Sequence, residues 1–239
     1  MSRPRYFATP DPQDAGLAWL DAETARHLRA RRLGIGDGVN AILGPGEEYR
    51  AVLKATSRNN ATLSLGERIA AAAADPAQPL ILLLALADPP RLDLVAEKAT
   101  ELGATELLFF RAARSQHSAL AASRRTRLAR IARLAAEQCG RTTVPGIGEE
   151  ESLDGALERI PEETQRFAFS PEAQTALPAR ELRGPRALLI GPEGGFAPEE
   201  LRQVQARGWE LLSLGPRILR FETAALAALA RWNETALPA

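Results

Sequence analysis

Residues 188–200 read Leu188-Leu189-Ile190-Gly191-Pro192-Glu193-Gly194-Gly195-Phe196-Ala197-Pro198-Glu199-Glu200, an order that predicts a buried strand, a glycine loop and the start of a helix. The aliphatic run is that of a strand covered on both faces. Pro198 suits the first helical position, and Glu199 and Glu200 put acids in the first turn, at the positive end of the helix dipole. In a parallel sheet such a loop lies at the carboxyl end of its strand, where ligands bind. Three glycines let backbone N–H and C=O groups approach a flat ligand such as an adenine. The loop lacks the Gly-Lys-Ser/Thr ending of a phosphate-cradling P-loop and the spacing of a dinucleotide fingerprint, and Glu193 would repel phosphate.

The same order recurs at residues 214–225, Leu214-Gly215-Pro216-Arg217-Ile218-Leu219-Arg220-Phe221-Glu222-Thr223-Ala224-Ala225, between a strand expected over 210–214 and a helix expected over 222–232. Upstream, residues 80–87 are a continuous apolar run closed by Asp88-Pro89-Pro90, which predicts another strand. Leu92, Val95, Ala99 and Leu102 follow at helical spacing before Gly103, and 106–110 read as the next strand. Ser123 suits the N-cap of a helix that turns Leu128, Ile131, Leu134 and Ala135 inward and its arginines outward, up to Gly140. Strands are expected over 166–169 and 187–190 and a helix over 198–207. This alternation predicts an α/β domain with a mostly parallel sheet.

Before residue 70 the pattern is different. Short runs at 6–8, 39–43, 49–53 and 61–65 are separated by turn residues such as Gly44-Pro45-Gly46 and Asn59-Asn60. One helix is expected over 21–33, with Asp21 as N-cap and Gly34 just past its end. The alanine-rich stretch 70–79, closed by Pro76 and Pro79, reads as a linker. The expected domains are therefore 1–72 and 73–239.

With 45% hydrophobic and 25% charged residues, the 239-residue chain has the composition of a soluble globular protein, not of a disordered or fibrous one. A single cysteine, Cys139, excludes an internal disulfide and fits a reducing compartment. No apolar run approaches the length of a spanning helix and no basic-then-apolar leader opens the sequence, so a cytoplasmic protein without a membrane partner is expected. Thirty basic residues balance thirty acidic ones, which taken as a total discourages a nucleic-acid partner. The distribution is uneven: 111–141 carry eight arginines against Glu137, a balance of +7, and 149–163 carry seven acids against Arg159, a balance of −6. Apart from Lys54 and Lys98 every basic residue is arginine, whose planar fork suits phosphate and base edges.

The two glycine loops, together with Glu97-Lys98-Ala99-Thr100-Glu101-Leu102-Gly103 and Ala136-Glu137-Gln138-Cys139-Gly140-Arg141, closely resemble the bacterial 16S rRNA (uracil-N3) methyltransferases of the SPOUT superfamily. The resemblance extends to the N-terminal Arg3-Pro4-Arg5-Tyr6-Phe7 and to His27-Leu28-Arg29, and so covers nearly the whole chain. It implies a small PUA-like β-barrel for RNA, followed by an α/β domain with a deep trefoil knot that holds S-adenosyl-L-methionine. It also implies a homodimer that assembles each active site, and 16S rRNA of the small ribosomal subunit as substrate. By motif position, Ile190, Gly191, Glu193, Gly194 and Gly195 would line one side of the cofactor pocket. Leu214, Gly215, Ile218, Leu219 and Arg220 would line the other, with Phe169 and Ser170 at its edge. The family usually has Thr where Phe221 stands, which moves any hydroxyl role to Thr223. Its first loop usually carries Lys and Gly, where this chain has Asp88-Pro89-Pro90-Arg91.

N3 lies on the Watson–Crick edge of uracil, so the target must be unpaired or flipped out. Arg220 is the first candidate to stabilise negative charge on the uracil carbonyl oxygens. Glu222 is expected either to accept the N3 proton or to hold Arg220, or simply to cap the last helix. Arg3, Arg5, Arg29, Arg31, Arg114, Arg124 and Arg125 are the expected rRNA contacts, with Arg141 at RNA, at the active site or at a partner chain. His27 and His117 do not suggest a metal site. Cys139 reads as packing, and Trp19, Trp209 and Trp232 as core or interface. Two other readings stay open: a SPOUT enzyme acting on another RNA atom such as a ribose 2′-hydroxyl, and an RNA-binding assembly factor without catalysis.

Overall fold

In the computed structural model, which describes residues 3–70, 74–175 and 184–232, the short N-terminal runs form strands β1 (Arg5–Phe7), β2 (Thr9–Pro10) and β3 (Leu17–Leu20), helix α1 (Ala22–Ala30), and strands β4 (Gly38–Gly44), β5 (Glu47–Thr56) and β6 (Ala61–Ile69). Asp21 caps α1 as its residue type predicts, its carboxylate accepting the Thr24 N–H at 2.8 Å. The helix ends earlier than expected, because Arg32 and not Gly34 takes the left-handed conformation, at φ 59°. That turn lets Leu33 N–H reach the Leu28 carbonyl at 2.9 Å and so satisfies the helix end. The strands form one sheet in the order β1-β4-β5-β6-β3-β2, parallel between β1 and β4 and antiparallel elsewhere. Tyr6, Leu20, Leu28, Val39, Leu53 and Leu63 meet in its core.

A polar group interrupts the buried face of β5. Glu48 is buried, and its carboxylate accepts from Arg5 at 2.8 and 2.7 Å and from Asn40 Nδ2 at 2.8 Å. Burial alone would push this carboxyl up, but the hydrogen bonds from Arg5 and Asn40 outweigh it and hold it below the usual carboxylate range. A depressed carboxylate stabilises the fold above its unfolded pKa, and that stabilisation is lost as pH falls through the folded value. Thermal unfolding between pH 7 and 3 is therefore expected to show stability falling below about pH 4. In Glu48→Gln that decline should be shallower, and an unchanged slope would assign it to other groups.

The second half of the chain gives β7 (Leu80–Ala85), α2 (Pro89–Glu101), β8 (Glu106–Phe110), α3 (Ala122–Cys139), β9 (Gly146–Glu150), α4 (Leu153–Glu158), β10 (Gln165–Phe169), β11 (Arg186–Ile190), α5 (Pro198–Ala206), β12 (Glu210–Leu212) and α6 (Phe221–Trp232). The strands lie in the order β12-β10-β11-β7-β8-β9, every pair parallel, as the alternation predicts. Each residue of β7 and β11 is buried, which is why β7 reads as an unbroken aliphatic run and β11 as one after Arg186. Alternate residues serve two cores. Leu82 and Leu84 pack with Leu92 and Val95 of α2 and with Ala225 of α6, while Leu83 and Ala85 pack with Leu153 of α4 and Val204 of α5.

Several elements depart from the sequence reading. Strands β2, β3 and β9 and helix α4 were not expected, α3 begins at Ala122 so that Ser123 lies inside it, and β12 stops at Leu212. Cys139 is half-buried, Trp209 is buried, and Trp19 is partly exposed with Nε1 bonded to Asp11. The expected boundary at residue 72 and the side chain of Trp232 lie outside the described residues. No described helix is long and apolar enough to cross a membrane.

By packing, the chain divides into residues 1–75 with 136–143, and residues 76–135 with 144–239. The inserted segment is laced into the first unit by Asp75. Its carboxylate accepts the N–H groups of Thr142 at 3.0 Å and Thr143 at 3.1 Å, both threonine hydroxyls, and Arg141 Nε at 3.4 Å. Gly46 N–H donates to Thr142 Oγ1 at 2.7 Å, and Phe7 N–H to Glu137 Oε1 at 3.1 Å.

Candidate functional site

Register decides what the parallel sheet gathers at one edge. Leu212, Phe169, Ile190 and Leu84 stand opposite one another across β12, β10, β11 and β7, so the segments that begin at Ser213, Ser170, Gly191 and Leu86 leave from the same side. The neighbours β7 and β11 continue to β8 and β12, on opposite sides of the sheet. This is a topological switch point, where open α/β sheets bind ligands.

The glycine loop is tightly built. A Cβ on Gly191 would lie 2.8 Å from the ring of Phe196, which folds back under the loop and is buried, so no larger residue fits. Glu200 is also buried. Its two oxygens accept the N–H groups of Ala113 and Ala197, each at 2.8 Å, and so join the start of α5 to the segment after β8.

One pocket opens at the switch point, lined by residues 86–88, Arg114, Gln116, His117 and 192–194. Arg114 Nη1 donates to the Gly194 carbonyl at 2.9 Å, and His117 Nε2 lies 3.2 Å from Asp88 Oδ1. Arg91, in the first turn of α2, pairs with Glu193 and places its Nε 3.8 Å from Glu222 Oε2. That oxygen is buried and accepts no hydrogen bond among the described residues. Arg91, Gln116 and His117 were not expected here. Arg91 was legible only as the cation left in an altered loop, and the partners of His117 depend on a fold that sequence spacing does not report.

A second pocket is lined by Pro171, Ala173, Gln174, Ser213 and residues 215–218. Gly215 has φ 113°, a conformation that favours glycine. Ile218 is 89% exposed, an apolar side chain without cover beside Ala173 and Pro216. With the Gln174 amide and the Ser213 hydroxyl at hand, this residue set suits a flat heteroaromatic group with polar edges.

The expected cofactor residues are thus divided. Gly215 and Ile218 line the second pocket, whereas Glu193 and Gly194 line the first, so the two glycine loops face different cavities among the described residues. The side chains of Phe169 and Ile190 are buried in the core and leave only backbone for a ligand. Ser170 is buried, Leu214 and Leu219 are half-buried, and Arg220 and Thr223 are exposed.

Among the expected RNA contacts, two are corrected. Arg141 is 2% exposed and bound to Asp75, and Arg5 is committed to Glu48, so neither guanidinium is open to a phosphate. Arg124 is paired with Asp93 at 3.0 Å and Arg125 with Glu149 at 2.5 Å. Arg3, Arg31 and Arg114 are exposed, as is Arg29, which lines a shallow pocket with Arg26 and Arg58. No group of three or more His, Cys, Asp or Glu side chains suited to a metal ion occurs among the described residues.

A family model described as an RNA methyltransferase domain matches residues 74–233, and one described as an RNA methyltransferase PUA domain matches residues 20–66. Ribosomal RNA small subunit methyltransferase E of Mycobacterium bovis is 31% identical over 97% of this chain and 94% of its own length. The crystal structure of the Neisseria gonorrhoeae protein of that name, bound to S-adenosyl methionine, superposes with a TM-score of 0.86 at 28% identity over 96% of each chain. A putative methyltransferase of Legionella pneumophila in complex with the same cofactor gives 0.87 at 26% identity over 97% of each chain.

Proposed function

The chain belongs to the ribosomal RNA small subunit methyltransferase E family, an RNA methyltransferase domain joined to a PUA domain, and on that premise we propose that it methylates N3 of one uridine in 16S rRNA with S-adenosylmethionine. The observation that carries this reading is Arg91 set between Glu193 and Glu222 at the edge where both glycine loops leave the sheet. Ionisable groups held together at a switch point are what a reaction that creates and removes charge requires.

The second pocket is assigned to the cofactor. Gly215 and Ile218 would hold its adenine, with Leu214, Leu219 and Thr223 around them. When bound, the sulfonium supplies an electrophilic methyl group. Arg220, exposed at the start of α6, would stabilise the negative charge that develops on the uracil carbonyl oxygens. Glu222 would orient a cation, with Arg91 as its neighbour.

The same reading includes a trefoil knot in the methyltransferase domain, a homodimer that completes each site, and action on the small subunit in the cytoplasm. Arg3, Arg29 and Arg31 are the proposed phosphate contacts and Arg114 a further RNA contact at the switch-point pocket, with Arg124 and Arg125 available on release of their acidic partners. Binding should therefore weaken steeply between 50 and 200 mM salt, on the order of 10³-fold for about six contacts. A salt-independent affinity would count against it.

The function itself is tested by reverse transcription of 16S rRNA from a deletion strain. N3 methylation blocks base pairing and stops the polymerase, so one stop present in the wild type should vanish and return on complementation. A stop pattern unaltered by the deletion would sink the assignment.

A further inference from the structure

The pocket at the switch point contains more chemistry than the proposed catalytic residues use. Two carboxylates line it, and they differ in what they have left to offer. Glu193 is ion-paired with Arg91. Asp88 is held through Oδ1 by His117 alone, is about half exposed, and makes no hydrogen bond through Oδ2 among the described residues. Around it stand two donors from the segment after β8. Arg114 spends one N–H on the Gly194 carbonyl and has others left, and Gln116 is exposed with its amide unengaged among the described residues.

We propose that this pocket receives the Watson–Crick edge of the target uracil, with Asp88 as the group that reads and takes the N3 proton, Arg114 and Gln116 as donors to the flanking carbonyl oxygens, and His117 as the residue that positions Asp88. The proposal rests on the uridine-N3 reading above and deepens it. The N3 edge of uracil runs acceptor, donor, acceptor, and the complement it needs is donor, acceptor, donor. Arg114, Asp88 and Gln116 supply that set. Cytosine presents an unprotonated N3, so a carboxylate there faces a lone pair and discriminates against it by leaving a polar group unpaired. In the reaction the N3–H bond breaks with its proton passing to Asp88 Oδ2. The N3 electron pair forms the bond to the methyl carbon, and the carbon–sulfur pair returns to sulfur as a neutral thioether. Arg114 shares with Arg220 the offset of the charge that passes through the carbonyl oxygens. The titratable and charged groups facing Asp88 in the pocket are His117, Arg114 and Glu193, and Arg91 stands behind Glu193.

The test uses full-length protein, S-adenosylmethionine and 16S rRNA transcribed in vitro, with either uridine or cytidine at the position located by the reverse-transcription stop. Asp88→Asn replaces an acceptor with a group that can donate to cytosine N3. Its turnover on uridine is expected to fall about 10²-fold, the range of a lost general base. Its preference for uridine over cytidine should fall by a similar factor, while calorimetric cofactor affinity stays at the wild-type value. Asp88→Glu, which keeps the carboxylate, should keep the preference. His117→Ala should lower kcat, and His117→Gln, which restores a donor toward Asp88, should recover most of it. Asp88→Asn with the wild-type preference would overturn the pocket assignment while leaving the function intact. A wild-type protein that binds cofactor but leaves every uridine N3 unmethylated would overturn both.

Discussion

Replacing Asp75 by alanine is expected to destabilise the protein by about 3 kcal/mol, the low end of what removing one partner from a buried ion pair costs, since the Asp75 side chain is itself partly exposed. The carboxylate is the acceptor for two backbone N–H groups, two hydroxyls and a guanidinium, all from residues 141–143. Burial raises the Asp75 carboxyl, but the hydrogen bonds from Thr142 and Thr143 outweigh it and hold it below the usual range. Arg141 is 2% exposed, and burial pushes its guanidinium down while Asp75 opposes the shift. Alanine would leave a buried cation short of its carboxylate and the N–H groups of buried Thr142 and half-buried Thr143 short of an acceptor. In a chain of this size the loss corresponds to a fall in Tm of roughly 10 °C. Thermal denaturation near neutral pH measures it directly, and a fall of under about 2 °C would show the cluster to be idle.

Arg220→Ala should do the reverse, leaving stability untouched and removing activity. The side chain is exposed and makes no ion pair among the described residues, so folding loses little with it. Loss of a preorganised donor at a developing anion costs on the order of 10²- to 10³-fold in kcat. Single-turnover methylation beside calorimetry of cofactor binding separates the two effects. Full turnover with normal cofactor affinity would remove Arg220 from the mechanism. Together the two variants divide the arginines of this chain into those that build it and those that act.

That division was the part least legible in the sequence. Arg5 and Arg141 look like any other cation in a basic stretch, and only the fold brings Glu48 and Asp75 to them. The +7 and −6 segments likewise meet in space, through Arg125 with Glu149, while Arg124 and Arg127 share Asp93. By contrast, β7, β8, β10 and β11 were legible because the buried part of each is a short continuous apolar run, and α1 because its N-cap is local chemistry. The acidic stretch hid β9 and α4, whose few inward residues, among them Leu153 and Ala156, are too short a pattern to show a period. The glycine loops were placed correctly at strand ends. That they face two cavities goes with the strand order, which sets β10 between β11 and β12, and spacing along the chain carries no trace of it.

The packing of residues 136–143 with residues 1–75 bears on how such a protein can be recombined. The structural boundary between the two units falls within α3, a continuous helix, as well as near residue 75. A graft of the N-terminal domain alone, cut once near Asp75, would arrive without Glu137, Thr142 and Thr143 and would depend on its new host to supply them. Exchange between relatives should succeed only when both pieces travel together, which makes this N-terminal unit inheritable as a pair of segments and not as a cassette.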